Sequence, residues 1–347
     1  MTLIYFILIL SATIFVHELG HFIFAKKAGI YVYEFCIGMG PRIFKFKRKN
    51  DETEYGIRLL PIGGFCAMAG EDTIEDDNVP KEKKLQAKTW GQRFMTMVAG
   101  VMFNFIFAII LLFIIGLING NPNNQPIVSS VPNDGPSYAA GLRRGDEITK
   151  LNGVKINTID RLMIEYQINY GKTLELEVLR DNEIINIQIT PEAIETEQGT
   201  AYQYNFALDG TIETGFLEAI EYAITKFMSL IEQMFVTFAY LFTGKLSLTN
   251  LSGPIGIYNI VDQSATAGLL SLVSLTSLLS INVGFINLLP IPAFDGGRIL
   301  FLIIEKIRRK PVKPEVENRI HAIGLALLML LMIVVTYNDI VRFIIKW

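Results

Sequence analysis

The chain has 347 residues, 51% of them hydrophobic and 19% charged, with a mean hydropathy of +0.38 and a formal net charge of −3. That composition excludes an ordinary soluble domain, and the slightly acidic balance argues against a nucleic-acid partner gripped through its phosphates. The two cysteines, Cys36 and Cys66, lie at no metal-ligand spacing and read as free thiols or minor packing residues.

The first predicted element is an apolar run at 2–24, close to the ~20 helical residues that a hydrocarbon core requires. It has no basic leading region and no small-residue cleavage site, so it reads as a retained anchor and not a signal peptide. Within it stands HELGH, at 17–21. Four residues turn a helix through about 400°, which sets His17 and His21 on one face, one turn apart, where both can hold a single Zn²⁺. Glu18 is then placed as general base toward water. The five letters occur by chance in unrelated proteins, and their setting gives them weight: an ionisable residue at mid-span costs roughly 2.5 to 3.5 kcal/mol and is normally retained for function.

Residues 25–93 are polar and basic, with two β-like runs at 31–46 and 54–68, the second reading EYGIRLLPIGGFCAM. Ile57, Leu59, Leu60, Ile62, Phe65 and Met68 make it more apolar than a solvated loop. A hairpin dipping back into the membrane beside the metal would account for them, because irregular backbone at depth is tolerated where it is buried in protein. A small cytoplasmic hairpin packed on the helices would account for them equally. The exposed edge of a hairpin that dips into the membrane could also hold a substrate in extended form. A second span is predicted at 94–118, where Asn104 reads as a residue that hydrogen-bonds across helices or meets substrate.

The region 121–215 is predicted to be water-soluble. Its run IVSSVPNDGPSYAAGLRRGDEITKLNGVKI reads as a strand, a short helix at Tyr138–Leu142, a Gly145–Asp146 turn and a strand pair joined by Asn152–Gly153. A helix near 160–170 and the alternating strands LELEVL and INIQIT would complete the unit by about residue 191. The pattern resembles a bacterial PDZ domain, an α+β fold that takes peptide ends by strand addition; a lid that only limits access fits the same residues. At 216–243 the apolar sequence is interrupted by Glu218, Glu221, Lys226 and Glu232, which predicts an amphipathic helix lying on the bilayer. Spans at 269–289 and 322–345 follow.

A metalloprotease zinc usually has three protein ligands. The chain has three histidines, and the last, His321, reads as a helix-end residue. Asp295 is the better third ligand. It follows the third span and the helix break imposed by Pro290 and Pro292, and an acid beside apolar sequence is costly unless paired or metal-bound. Lys and Arg are concentrated in 25–93 and 306–319, and basic loops prefer the cytoplasm. Both segments can be cytoplasmic only if 216–243 does not cross. The first and third spans then run in the same direction, which brings His17, His21 and Asp295 to one leaflet.

With these residues in hand, the chain resembles the bacterial site-2 proteases of the RseP type, a family of zinc intramembrane metalloproteases. HELGH at 17–21, GMGP at 38–41, LPIGGF at 60–65, the PDZ segment, NLSGPIGI at 250–257 and N-x-x-P-x-P-x-x-D-G at 287–296 carry the resemblance along nearly the whole length. It implies that His17, His21 and Asp295 bind Zn²⁺ and that Glu18 is the catalytic base. It further implies that Asn287, Pro290 and Pro292 shape the substrate region and that 60–65 is the family's membrane-reentrant β-loop; an unwound substrate is expected to pair with the segment around Ile57 to Phe65, which carries Gly63 and Gly64. Three departures stand out: Phe294 replaces the usual leucine before the Asp-Gly pair, one PDZ domain is present where some members have two, and GVMFNF at 100–105 keeps Asn104 but lacks the proline often found in that motif.

The expected architecture is a polytopic α-helical membrane protein with about four transmembrane helices, a membrane-associated β-hairpin and an inserted extracytoplasmic PDZ domain. Its parts are a membrane region at 1–120, the PDZ domain at 121–195, a linker and surface helix at 196–260, and a second membrane region at 261–347. The expected location is the bacterial cytoplasmic membrane, with the active site toward the cytoplasm. Expected partners are the lipid bilayer, single-span membrane proteins such as anti-sigma factors or remnant signal peptides, and a peptide end at the PDZ domain. A membrane-anchored PDZ scaffold with a degenerate site and a metal or proton transporter are the competing classes. The first would need no metal, and the second would need a polar path across the whole bilayer.

Overall fold

The computed structural model describes residues 1–49, 51–71, 78–196, 199–246 and 252–341. In chain order its elements begin with α1 (Thr2–Lys27), β1 (Val32–Lys47), β2 (Glu54–Met68) and α2 (Trp90–Asn119). There follow β3 (Asn121–Pro122), β4 (Val128–Ser130), α3 (Pro136–Ala139), β5 (Glu147–Leu151), β6 (Val154–Lys155) and α4 (Ile159–Ile168). Next come β7 (Leu174–Arg180), β8 (Glu183–Ile189), β9 (Glu192–Thr196), β10 (Gly199–Gln203), β11 (Ala207–Leu208) and β12 (Ile212–Glu213). The chain closes with α5 (Phe216–Phe242), α6 (Pro254–Ala267), α7 (Leu269–Leu288), α8 (Asp295–Arg308) and α9 (Pro314–Ile340). The chain divides into two compact units, one of residues 1–112 with 248–347 and the other of residues 113–247.

Among the described residues four helices are long and apolar enough to cross a membrane: Thr2–Lys27, Trp90–Asn119, Leu269–Leu288 and Glu315–Ile340. They match the four spans expected from hydropathy, the first and third starting where expected and the last starting earlier, at Glu315; positions 342–345 of the last expected span lie outside the described residues. α5 is not among them. In the first unit many large apolar side chains of the helices are exposed, Leu3, Ile4 and Leu8 of α1 and Leu327 and Ile333 of α9 among them. The buried positions of α1 are Ile9, Thr13, His17, Gly20, His21 and Ala25, which lie on one helical face, so a stripe made mostly of small and polar residues faces inward.

β1 and β2 form more than the expected hairpin. Both bend, β1 through Gly38 and Gly40 at positive φ, so that four segments lie side by side. Residues 34–37 pair with 64–67 on one side and with 54–57 on the other, and 54–57 pair in turn with 44–47. Glu34 ties the bend together, accepting hydrogen bonds from Arg42 (3.0 Å), Arg58 (2.9 Å) and the Cys36 thiol (2.8 Å). Near the turn the Lys26 ammonium binds Asp51 at 2.7 Å and Glu52 at 2.8 Å, and holds both carboxyls below the usual range. Both cysteines are free and buried.

The second unit is built like a soluble domain. β6, β5, β7 and β8 form an antiparallel sheet in that order. Strand β7 alternates, with Leu174, Leu176 and Val178 in the core and Glu175 and Glu177 turned away, the period-two pattern of a half-buried strand. Asn152 and Gly153, both at positive φ, make the tight β5–β6 connection. Asp146 is fully buried in the predicted Gly-Asp turn, where it accepts from the Arg180 guanidinium at 2.6 and 2.7 Å and from the Arg143 amide at 2.8 Å. The boundary expected at residue 195 falls short. Tyr204 is in this core with Phe206 and Leu208 packed on it, and β11 pairs with β4 from the far end of the domain. Such a two-residue strand leaves no periodic trace in sequence.

Candidate metal centre

Three side chains from two distant segments converge in the first unit. His17 Nε2 lies 3.0 Å from Asp295 Oδ2, His21 Nε2 lies 3.2 Å from the same oxygen, and the two Nε2 atoms are 3.2 Å apart. Ligands at ~2.0–2.1 Å from a tetrahedral ion stand roughly 3.3 Å from one another, so this triangle has the size of one face of a zinc site. Among the described residues it is the group of His, Cys, Asp and Glu with ligand geometry, its atoms all within 4.8 Å.

The atoms behind the triangle fit the same ion. His21 Nδ1–H donates to the Thr96 carbonyl at 2.8 Å, which leaves Nε2 free to ligate. His17 Nδ1 faces the Asn104 amide at 3.3 Å, with the amide nitrogen drawn toward the ring and Oδ1 buried without a partner. Amide oxygen and nitrogen are interchangeable by a flip. Turned over, Asn104 Oδ1 accepts from His17 Nδ1–H, the orphaned oxygen gains its partner, and Nε2 is again the ligating atom.

Small residues make room for the two rings. A Cβ on Gly20 would overlap the Ala99 carbonyl, and one on Gly100 would overlap both imidazoles. α1 and α2 therefore approach at the Gly20–Gly100 level more closely than larger residues allow. Asp295 is delivered by a different device. The chain leaves α7 at Leu289, passes Pro290 and Pro292, and turns back through Ala293 at φ 90° into α8. A Cβ on Gly296 would strike the last carbonyls of α7, so the Asp-Gly pair is what lets α8 start there.

A cavity of about 380 Å³ opens on the triangle, lined by Ile14, His17, Glu18, His21, Cys66, Met68, Glu71, Val283, Asn287, Ala293 and Asp295. Glu18 therefore borders the same space as the ligand atoms, as does Cys66. Gly64 lies against Glu18. Of the other residues expected to meet substrate, Asn287 lines the cavity. Pro290 and Pro292 shape the turn behind it. Ile57 lies on the 54–57 segment, on the far side of 34–37 from residues 64–67. Thr96, Gly100 and Glu71 were not singled out by sequence. The first two act through a carbonyl and a missing side chain, which no spacing rule reports.

Comparison with known proteins follows the same lines. The description of peptidase family M50 matches residues 5–331. The chain is 36% identical to "Regulator of sigma-W protease RasP" of Bacillus subtilis (strain 168) over 418 positions, covering 98% of each chain. It is 38% identical to "Putative zinc metalloprotease CPE1693" of Clostridium perfringens over 342 positions, covering 98% of this chain and 99% of that one. Among solved structures, the PDZ domain of an SdrC-like protein from Listeria monocytogenes covers 25% of this chain and 88% of its own, at 25% identity and a TM-score of 0.20.

Proposed function

The chain belongs to peptidase family M50, and from that premise we propose that it cleaves a peptide bond in or near the transmembrane segment of single-span membrane proteins. It is a multi-pass bacterial membrane protein and a zinc metallopeptidase of the site-2 protease type. The observation that carries the reading is the convergence of His17, His21 and Asp295 beside Glu18 on one cavity. A scaffold with a degenerate site has no need of that convergence.

In the proposed mechanism His17, His21 and Asp295 would hold Zn²⁺, which when bound would supply the Lewis acidity that polarises a carbonyl and makes water more acidic. Glu18 takes the proton from the attacking water and passes it to the departing amide nitrogen. Thr96 and Asn104 sit on the Nδ1 sides of the two imidazoles, so that both Nε2 atoms face the Asp295 carboxylate. A transmembrane helix must unwind before its carbonyl can be attacked. Residues 64–67 have a strand partner on one edge, and among the described residues none on the other. An unwound substrate segment added there regains backbone hydrogen bonds next to Glu18.

The substrates proposed are anti-sigma factors or remnant signal peptides. The name of the Bacillus relative, a regulator of sigma-W, supports a regulatory membrane protein as substrate. The Lys and Arg distribution supports a metal centre on the cytoplasmic side and an extracytoplasmic domain of PDZ type, in which a peptide end could bind. Glu18→Gln tests the core of the proposal. In detergent it is expected to lower cleavage of a single-span substrate by about 10²- to 10⁴-fold with zinc content near one per chain. Wild-type turnover by that variant would sink the mechanism.

A further inference from the structure

His321 stands outside the chemistry just described, yet it touches the turn that carries Asp295. The turn runs Pro290-Ile291-Pro292-Ala293-Phe294-Asp295. Its two prolines have no N–H, and Ala293 sits at φ 90°, a conformation that residues with a side chain rarely adopt. Such a conformation persists only where the surroundings hold it. Here the Ala293 N–H donates to His321 Nδ1 at 3.1 Å, across 28 positions of sequence. One turn further along α9, Gly324 lies on Pro292 so closely that a Cβ there would overlap the Pro292 carbonyl. The His321 ring is itself backed by Phe301 of α8, with centroids 5.8 Å apart.

We infer that His321 is a positioning residue for the metal centre: its Nδ1 holds the Ala293 turn in the left-handed conformation that delivers Asp295 to His17 and His21. Without that acceptor, Ala293 relaxes toward negative φ, and the shift is passed two residues along the backbone to the Asp295 carboxylate. The role differs from that of a ligand. It also differs from packing, because it requires an acceptor at one position of the side chain and nothing else of the ring. Asparagine carries its Oδ1 where histidine carries Nδ1, whereas glutamine places its oxygen one bond further out.

The inference rests on the zinc-site reading, and the two fail separately. The full chain in detergent is titrated with zinc against a chromogenic chelator, so that affinity is read without turnover. Wild-type protein that binds no zinc would overturn the site reading itself. Given wild-type binding, His321→Leu is expected to weaken zinc by about 10- to 100-fold, the usual loss when an outer support of a ligand is removed. His321→Asn is expected to stay within about threefold of wild type, since the acceptor is kept. Ala293→Gly added to His321→Leu is expected to restore most of the affinity, because glycine adopts positive φ without support. Unchanged affinity in His321→Leu, equal damage in His321→Asn, or no recovery with Ala293→Gly would each overturn the inference. Should His321→Leu not fold, His321→Asn against His321→Gln decides it: wild-type affinity in the first and loss in the second supports the acceptor role, and equal affinities end it.

Discussion

α1 and β7 bury their residues by opposite rules. In β7 the buried side chains are Leu174, Leu176 and Val178 and the outward ones are glutamates, as hydrophobic burial in water demands. In α1 the buried stripe is Ile9, Thr13, His17, Gly20, His21 and Ala25, mostly small or polar, while Leu3, Ile4, Leu8 and Ile23 are exposed. Lipid is as apolar as leucine, so burial of leucine gains nothing there, and close approach of small residues and polar contacts hold the helices together. The same contrast recurs in α9, where only 11% of the most apolar window is buried. One polypeptide thus uses two sources of stability, and substitutions at the two should report differently.

The largest effect expected belongs to the first unit. Gly100→Ala places a methyl group where both imidazoles stand, and neither ring can move aside without leaving the triangle. Zinc content and cleavage are both expected to fall by more than the 10- to 100-fold typical of losing one outer support. Elemental analysis of the purified variant checks it, and a full zinc complement would show that α1 and α2 need not approach as closely as described. A change of one carbon in an outward position of α1 should do nothing measurable.

The next effect lies in the second unit and should leave the metal untouched. Asp146→Ala removes the buried acceptor of Arg180 and of the Arg143 amide, at a cost of about 3 kcal/mol to the fold of residues 121–208. Hydrogen exchange of the full chain is expected to show faster opening of β5 and β7 with zinc content unchanged. Protection in β7 equal to wild type would mean that this pair does not hold the sheet, and the contrast between the units would weaken.

The contrast also explains what sequence revealed. HELGH and Asp295 were legible because a charge in apolar sequence is costly and therefore informative, and the Lys and Arg distribution alone brought them to one leaflet. Spans were legible from length and hydropathy, and β5 to β8 from alternation and turn residues. What escaped was contact made by absence or at a distance. Gly100 acts by lacking a Cβ, Thr96 through its carbonyl, β11 through two residues paired far away, and His321, read as a helix-end residue, lies within α9 and accepts from the Ala293 amide. The four-segment bend of β1 and β2 escaped because both edges of a folded-over strand read as one β-like run.

The smallest effect separates the two possible roles of a buried amide. If His17 Nε2 ligates zinc, its Nδ1 carries the proton and needs an acceptor, which the flipped Asn104 supplies. Asn104→Leu removes that acceptor and is expected to weaken zinc by about tenfold, the lower end of outer-support effects. Asn104→Asp sharpens the test, because a carboxylate can only accept. With Nδ1 protonated, the aspartate keeps or strengthens the hydrogen bond, and zinc affinity stays at or above wild type. With Nδ1 bare, two acceptors face each other in a buried site, and affinity falls below that of the leucine variant. Competition with a chelator distinguishes the two outcomes, and the second would mean that the first unit holds its ring by a contact other than the one its buried oxygen calls for.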